Sequence, residues 1–108
     1  MKKMKTNLKD APIISPMLDV RLLFSGEKAD LVHLILKKGE SIEKHDNPID
    51  VVFFVKEGNG KLTLDNNILE ITANDCIPVK TGIQRSMENN CEADLKVLVF
   101  KIKNRNNE

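Results

Sequence analysis

Few side chains in this 108-residue sequence are of the types that carry out chemistry. It has two histidines, His33 and His45, and two cysteines, Cys76 and Cys91. No serine or cysteine stands at a spacing from a histidine that makes a nucleophile with its base, and the sequence has no C-x-x-C pair and no phosphate-binding glycine loop. General acid–base work by His45 with Asp50 is the one catalytic pairing left open.

Composition and charge exclude several function classes. Seventeen basic and sixteen acidic side chains leave a formal charge of +1, and no Trp or Tyr is present for base stacking, which disfavours nucleic acid as a partner. The longest apolar runs, such as Val51 to Val55, are far shorter than the roughly 20 residues of a membrane span. No apolar leader follows the basic N-terminus before Lys9. We therefore expect a cytoplasmic protein with no membrane partner and with reduced cysteines.

The elements that must position these residues are short β-strands. Branched apolar runs alternate with turn residues about every ten positions, which predicts seven to nine strands in an all-β sandwich or barrel. Residues 1–12 and 104–108 are polar and are interpreted as flexible ends of a domain at 13–103. The predicted strands are Leu18–Phe24, Leu31–Leu36, Val51–Val55, Lys61–Leu64, Ile68–Ile71, Cys76–Val79 and Leu95–Ile102.

Period-two alternation assigns faces within these strands. In the last strand Leu95, Val97, Val99 and Lys101 share one face. We assign Phe54 and Met87 to the core. His33, between two apolar residues, is interpreted as a satisfied or half-exposed strand histidine, and Asp65-Asn66-Asn67 as a hairpin turn.

From Gly39 onward the sequence resembles a small single-domain cupin. Gly39 is followed by five residues and then His45, and Val51 is followed by six residues and then Gly58, which is the spacing of the family's first motif. Pro48 also keeps its place in that motif. The resemblance implies a double-stranded β-helix, or jelly-roll, barrel.

The family's second motif is blurred but readable. Gly82, two residues, Arg85, three residues and Asn89 keep its final spacing, with two extra residues between Pro78 and Gly82. The resemblance covers about residues 15–103. It implies a fold much more than a function, since cupins host many chemistries.

The resemblance also locates the family's usual metal site of three histidines and one Glu or Gln. His45 keeps the first position, and Asn47 replaces the second histidine. Val51 occupies the carboxylate position, while the third histidine position holds Arg85, or Ile83 when counted from the other end of the motif. One ligand of four remains, so we predict no tight metal site and no cofactor. The alternative is an atypical site for a divalent transition metal, in which a β-bulge turns Asp50 inward. The ligands of that site would be His45, Asn47, Asp50 and Gln84.

Capture of an anion is the other use of the same pocket. An inward Arg85 offers a fork of donors that suits a carboxylate or phosphate. His45, Asn47 and Gln84 are then further ligand-binding candidates. The opposing interpretation leaves Arg85 solvated near a turn and His45 at the barrel rim.

Three functional hypotheses follow. The first, which we prefer, is a non-enzymatic barrel that binds or senses a small, anionic metabolite. The second is a metal-dependent cupin enzyme, such as a dioxygenase, isomerase or decarboxylase. The third is a structural or regulatory dimer with a filled barrel. The resemblance further implies a homodimer, in which we expect the edge strand Leu18 to Phe24 to pair across the interface.

Overall fold

The computed structural model describes residues 4–45 and 49–103, and of His45 only the backbone. Over these ranges the chain forms nine β-strands and one 3-10 turn, Leu8–Asp10. The all-β prediction is confirmed. The strands are β1 (Asp19–Ser25), β2 (Ala29–Leu36), β3 (Ser41–His45), β4 (Asp50–Glu57), β5 (Asn59–Leu64), β6 (Asn67–Thr72), β7 (Cys76–Val79), β8 (Arg85–Glu88) and β9 (Leu95–Ile102).

Two antiparallel sheets make a double-stranded β-helix. One has five strands in the order β1-β2-β9-β4-β7, and the other has four in the order β3-β8-β5-β6. Alternate residues of each strand face the space between the sheets, because side chains on a strand alternate with period two. Their apolar side chains form one core that draws on both sheets and includes Leu36, Val55, Leu62 and Val97, all at 0% exposure.

Strands β3 and β8 were not predicted. Their sequences, Ser-Ile-Glu-Lys-His and Arg-Ser-Met-Glu, carry one apolar residue each and show no readable alternation. They are strands because their neighbours supply the hydrogen bonds: β8 pairs with β3 on one side and β5 on the other.

Part of the N-terminal segment, whose residues 1–12 are predicted to be a flexible end, contacts the sheet. The Arg21 guanidinium donates from Nη1 to the carbonyl oxygens of Leu8 and Lys9, at 3.3 and 3.2 Å. Ala11 is buried against the sheet at 5% exposure. These contacts fix the residues before β1, whereas residues 1–3 and the predicted tail at 104–108 lie outside the described residues.

The same segment covers the edge of β1. The Ile14 amide donates to the Val20 carbonyl and the Leu22 amide to the Pro12 carbonyl, both at 2.9 Å. This edge is therefore already paired within the chain between residues 20 and 22. The expected pairing of this strand across a homodimer would have to displace that segment.

Several smaller expectations can be compared directly with the structure. Met87 is in the core at 2% exposure, as predicted. Asp65 has a φ of 53° in the turn between β5 and β6, as its assignment to a hairpin requires. Cys76 and Cys91 are free and exposed. No helix in the described ranges has the length and apolarity needed to cross a bilayer.

A candidate ligand cavity between the sheets

A cavity of about 120 Å³ lies between the two sheets. The interior of the barrel is therefore not completely filled by its own side chains. The walls of this cavity are mostly apolar. Arg85, Ser86 and Lys101 are the polar residues among the described ones that line it. The apolar lining residues are Val20, Val32, Leu34, Ile42, Val51, Phe53, Leu62, Met87 and Val99.

Arg85 is buried, with an exposed fraction of only 3%. It begins β8 and shares the inner face of that strand with Met87, two residues later. Its Nη1 donates to the Ile83 carbonyl oxygen at 3.4 Å. The interpretation that left Arg85 solvated is therefore wrong, because β8 is a strand between two others and its first residue faces the cavity.

Lys101 is a second basic residue in the lining that the site prediction missed. The signal was present in the sequence, since alternation along β9 groups Lys101 with the inward-facing Leu95, Val97 and Val99. Its ladder partner in β4 is Val51, which also lines the cavity. Both charged residues in the described lining are thus cationic, and no carboxylate belongs to that lining.

His45 is the ladder partner of Arg85 in the pairing of β3 with β8. The side chain of His45, and Asn47 as a whole, lie outside the described residues. Their assignment as ligand residues stays a prediction. Gln84 is exposed and does not belong to the cavity lining. Its backbone instead binds Asp65, which donates its amide to the Gln84 carbonyl at 2.8 Å.

Asp50 does not turn inward. The register of β4 against β9 is regular from Asp50 to Val55, so the β-bulge needed to rotate Asp50 is not formed there. Val51 faces the cavity and Asp50 lies on the opposite face of the strand. Its Oδ1 accepts hydrogen bonds from the amide and the hydroxyl of Thr81, both at 2.8 Å.

The described positions do not fit the family's metal. Val51 stands in the carboxylate position and offers no donor atom, while Arg85, in the third histidine position, brings a positive charge into the cavity. No group of three or more His, Cys, Asp or Glu residues that could hold a metal occurs within residues 4–45 and 49–103. A divalent cation beside Arg85 and Lys101 would also be repelled in this poorly solvated space.

Asn89, the last residue of the second motif, has a structural task. It is fully buried and its Nδ2 donates to the carbonyl oxygens of Leu36 and Ala93, at 2.8 and 2.9 Å. Its Oδ1 accepts from the Cys91 amide at 2.8 Å. Three hydrogen bonds from one buried amide therefore hold the loop between β8 and β9, directly after the strand that carries Arg85.

Comparison with known proteins agrees with this architecture. The family model for the cupin domain matches residues 32–101. The chain belongs to the cupin domain family. An uncharacterized protein of Methanocaldococcus jannaschii is 29% identical to this cupin over 91 residues, which cover 83% of this chain and 72% of that relative.

Solved structures resemble this cupin along nearly its whole length. A predicted oxalate decarboxylase from Thermotoga maritima has a TM-score of 0.82 at 23% identity, covering 92% of this chain and 98% of the other. An RmlC-like cupin from Shewanella frigidimarina has a TM-score of 0.82 at 19% identity, covering 96% and 94%. At these identities the likeness establishes a common fold.

Proposed function

We propose that this cupin is a binding barrel that captures a small monocarboxylate with an apolar body. Arg85 carries the proposal, because it is buried at 3% exposure and lines a cavity whose other charged residue, among those described, is Lys101. A guanidinium matches a carboxylate with two parallel hydrogen bonds, and a second cation adds to the attraction.

The size and walls of the cavity narrow the ligand class. An apolar cavity of about 150 Å³ is known to accommodate benzene, and this one measures about 120 Å³. We therefore expect a ligand of about five to seven non-hydrogen atoms. Nine apolar residues line the cavity, so a second carboxylate would lose its hydration without a partner, which costs several kcal/mol. Monocarboxylates such as butyrate and valerate should bind more tightly than succinate or oxalate, the latter being the compound in the name of the T. maritima neighbour.

Replacement of Arg85 tests the proposal. The substitution Arg85→Met keeps an unbranched apolar stem, shorter than that of arginine, and removes the guanidinium with its charge. A hydrogen bond to a charged group contributes about 1.5–3 kcal/mol, so valerate affinity in calorimetric titration should fall by about 10- to 150-fold. Arg85→Lys should retain part of the affinity, since it keeps the charge but loses the fork.

Lys61→Met is the matched control, because Lys61 is an exposed lysine of β5 outside the cavity lining. It should leave the affinity for valerate unchanged. Equal valerate affinity in the wild type and Arg85→Met would refute the role of Arg85. Binding of phosphate or succinate in preference to valerate would refute the ligand class while leaving anion capture intact.

The proposal also predicts that no tight transition-metal site forms in this barrel. Elemental analysis, followed by titration with iron, manganese, nickel and zinc, should find well below one metal ion per chain, in the wild type and in His45→Ala alike. Near-stoichiometric metal that disappears in His45→Ala would contradict this and favour the metal-dependent enzyme. We further propose a cytoplasmic location, in keeping with two exposed, unpaired cysteines.

A further inference from the structure

A second concave site lies on the outer face of the five-stranded sheet, where the N-terminal segment crosses β1 and β2. It is an open cleft of about 470 Å³, with the 3-10 turn as one wall. Leu34 lines the cavity between the sheets, whereas its chain neighbour His33 lines this cleft, so the two sites lie on opposite faces of the sheet. The polar residues of the cleft lining are Asn7, Lys9, Asp19, Arg21 and His33.

His33, in the floor of the cleft, has a donor that the described chain does not use. It is 1% exposed, and its Nε2 lies 3.1 Å from the Lys56 ammonium nitrogen. Since an ammonium group only donates, Nε2 accepts, and the proton of the neutral imidazole is therefore on Nδ1. Nδ1 is buried and has no hydrogen-bond partner among the described residues. Buried polar groups are almost always paired, so this N–H indicates an acceptor supplied from outside the chain.

Arg21 supplies further donors from the neighbouring strand. It is the ladder partner of His33. Its Nε donates to the Asp19 carboxylate, and its Nη1 donates to the Leu8 and Lys9 carbonyl oxygens. Nη2, with its two N–H groups, makes no hydrogen bond to a described residue. The side chain is 26% exposed, so a ligand in the cleft can reach it.

The charge around the imidazole is positive. Basic side chains approach from four elements: Lys9 of the turn, Arg21 of β1, Lys56 of β4 and Lys96 of β9. Arg21 and Lys96 are each paired with a carboxylate, Asp19 at 3.1 Å and Glu57 at 3.6 Å. Lys9 and Lys56 form no ion pair with a carboxylate among the described residues, which leaves an excess of positive charge at the cleft.

We infer that this cleft binds the phosphate group of a small ligand, held by Arg21 and Lys9 above the imidazole of His33. Phosphate has several acceptor oxygens, which suit donors that converge from the turn and two strands, and its charge offsets the excess of cations. The turn has no buried residue, so a small outward movement of it lets a phosphate oxygen reach Nδ1. The cleft and the cavity share no lining residue, so the inference does not rest on the proposed function.

Nuclear magnetic resonance of His33 tests the inference. The chain has two histidines, so in a His45→Ala background the untagged protein gives ring signals from His33 alone. Inorganic phosphate, added at constant ionic strength, should raise the pKa of His33, since a nearby anion stabilises the imidazolium. Acetate at the same concentration should raise that pKa less. No change with phosphate, or an equal rise with acetate, would overturn the inference.

Substitutions in the cleft test the contacts by calorimetric titration with inorganic phosphate. Arg21→Gln should weaken phosphate binding by about 10-fold or more, because a charged donor is lost. Arg21 also fixes the turn, so the exposed Lys9 provides a second variant that leaves those bonds intact. Lys9→Gln should weaken binding by about two- to fivefold.

Lys5→Gln is the matched control, because it removes the same charge from the same segment outside the cleft lining. It should leave phosphate affinity unchanged. Equal losses in Lys9→Gln and Lys5→Gln would show attraction by overall charge and would overturn the inference of a defined site.

The two sites are distinguished by exchanging their variants. Phosphate binding in the cleft should survive Arg85→Met, and valerate binding in the cavity should survive Arg21→Gln. Phosphate binding that is lost in Arg85→Met and kept in Arg21→Gln would place the anion inside the barrel and overturn the inference.

Discussion

At the scale of single residues, His33 shows how burial outside the cavity changes the pKa of a side chain. It is 1% exposed, and its Nε2 lies 3.1 Å from the Lys56 ammonium nitrogen. Burial is the main cause that lowers the pKa of His33 below 6.5, and the charge of Lys56 is the next. Lys96 and Arg21 lower it further, whereas Asp19 raises it. The neutral imidazole is therefore the form that fits the folded protein.

This burial predicts a dependence of stability on pH. The unfolded chain takes up a proton on His33 as the pH falls through about 6.5, and the folded chain does so only at lower pH, so the free energy of unfolding should decrease over that interval. Urea unfolding at pH 7.5 and pH 5.5 measures the decrease, and His33→Leu should lose this part of it. An identical pH dependence in both proteins would mean that His33 does not carry the effect.

At the scale of elements, two glycines with nearly the same backbone make a matched pair. Gly58 and Gly82 have φ values of 93° and 92°. Residues other than glycine rarely adopt such a backbone conformation. A Cβ on Gly58 would collide with the carbonyl oxygen of Asp94 and approach the Leu95 Cα to 3.0 Å, whereas a Cβ on Gly82 meets nothing within 4 Å. Gly58 thus lets the turn between β4 and β5 lie against the start of β9.

Alanine at these two positions should separate strain from collision. Gly82→Ala should cost about 1–2 kcal/mol, from left-handed backbone strain alone. Gly58→Ala should cost clearly more, because backbone atoms must move as well. Chemical denaturation of the two variants against the wild type measures both costs. Equal losses of stability would show that the approach of Asp94 to Gly58 is unimportant.

The short element β8 explains why the site was only partly predictable. Arg-Ser-Met-Glu has too few apolar residues to indicate a strand, and so the inward direction of Arg85 could not be decided from the sequence. The direction follows from ladder bonds to β3 and β5, which lie far away along the chain. By contrast, the alternation in β9 was readable and already grouped Lys101 with the core residues.

At the scale of the whole molecule, β4 and β9 serve two surfaces at once. Val51 and Phe53 line the cavity, while Val52 and Phe54, one residue offset, lie on the outer face of the sheet. The proposed ligand cavity therefore lies against one face of this sheet, and the opposite face bears Phe54 and Phe100, which are 37% and 42% exposed.

The sequence by itself determined the all-β class, most strand positions, the family and the loss of histidine ligands, because these depend on local alternation, turn residues and motif spacing. Only the tertiary structure decided which side of a strand met the interior where the local pattern was weak or apolar throughout. It placed Arg85 inside, left Asp50 bound to Thr81 and exposed Phe54. The physical reason is that a strand buries whichever face its non-local partners cover, and the run Val51 to Val55 has apolar residues on both.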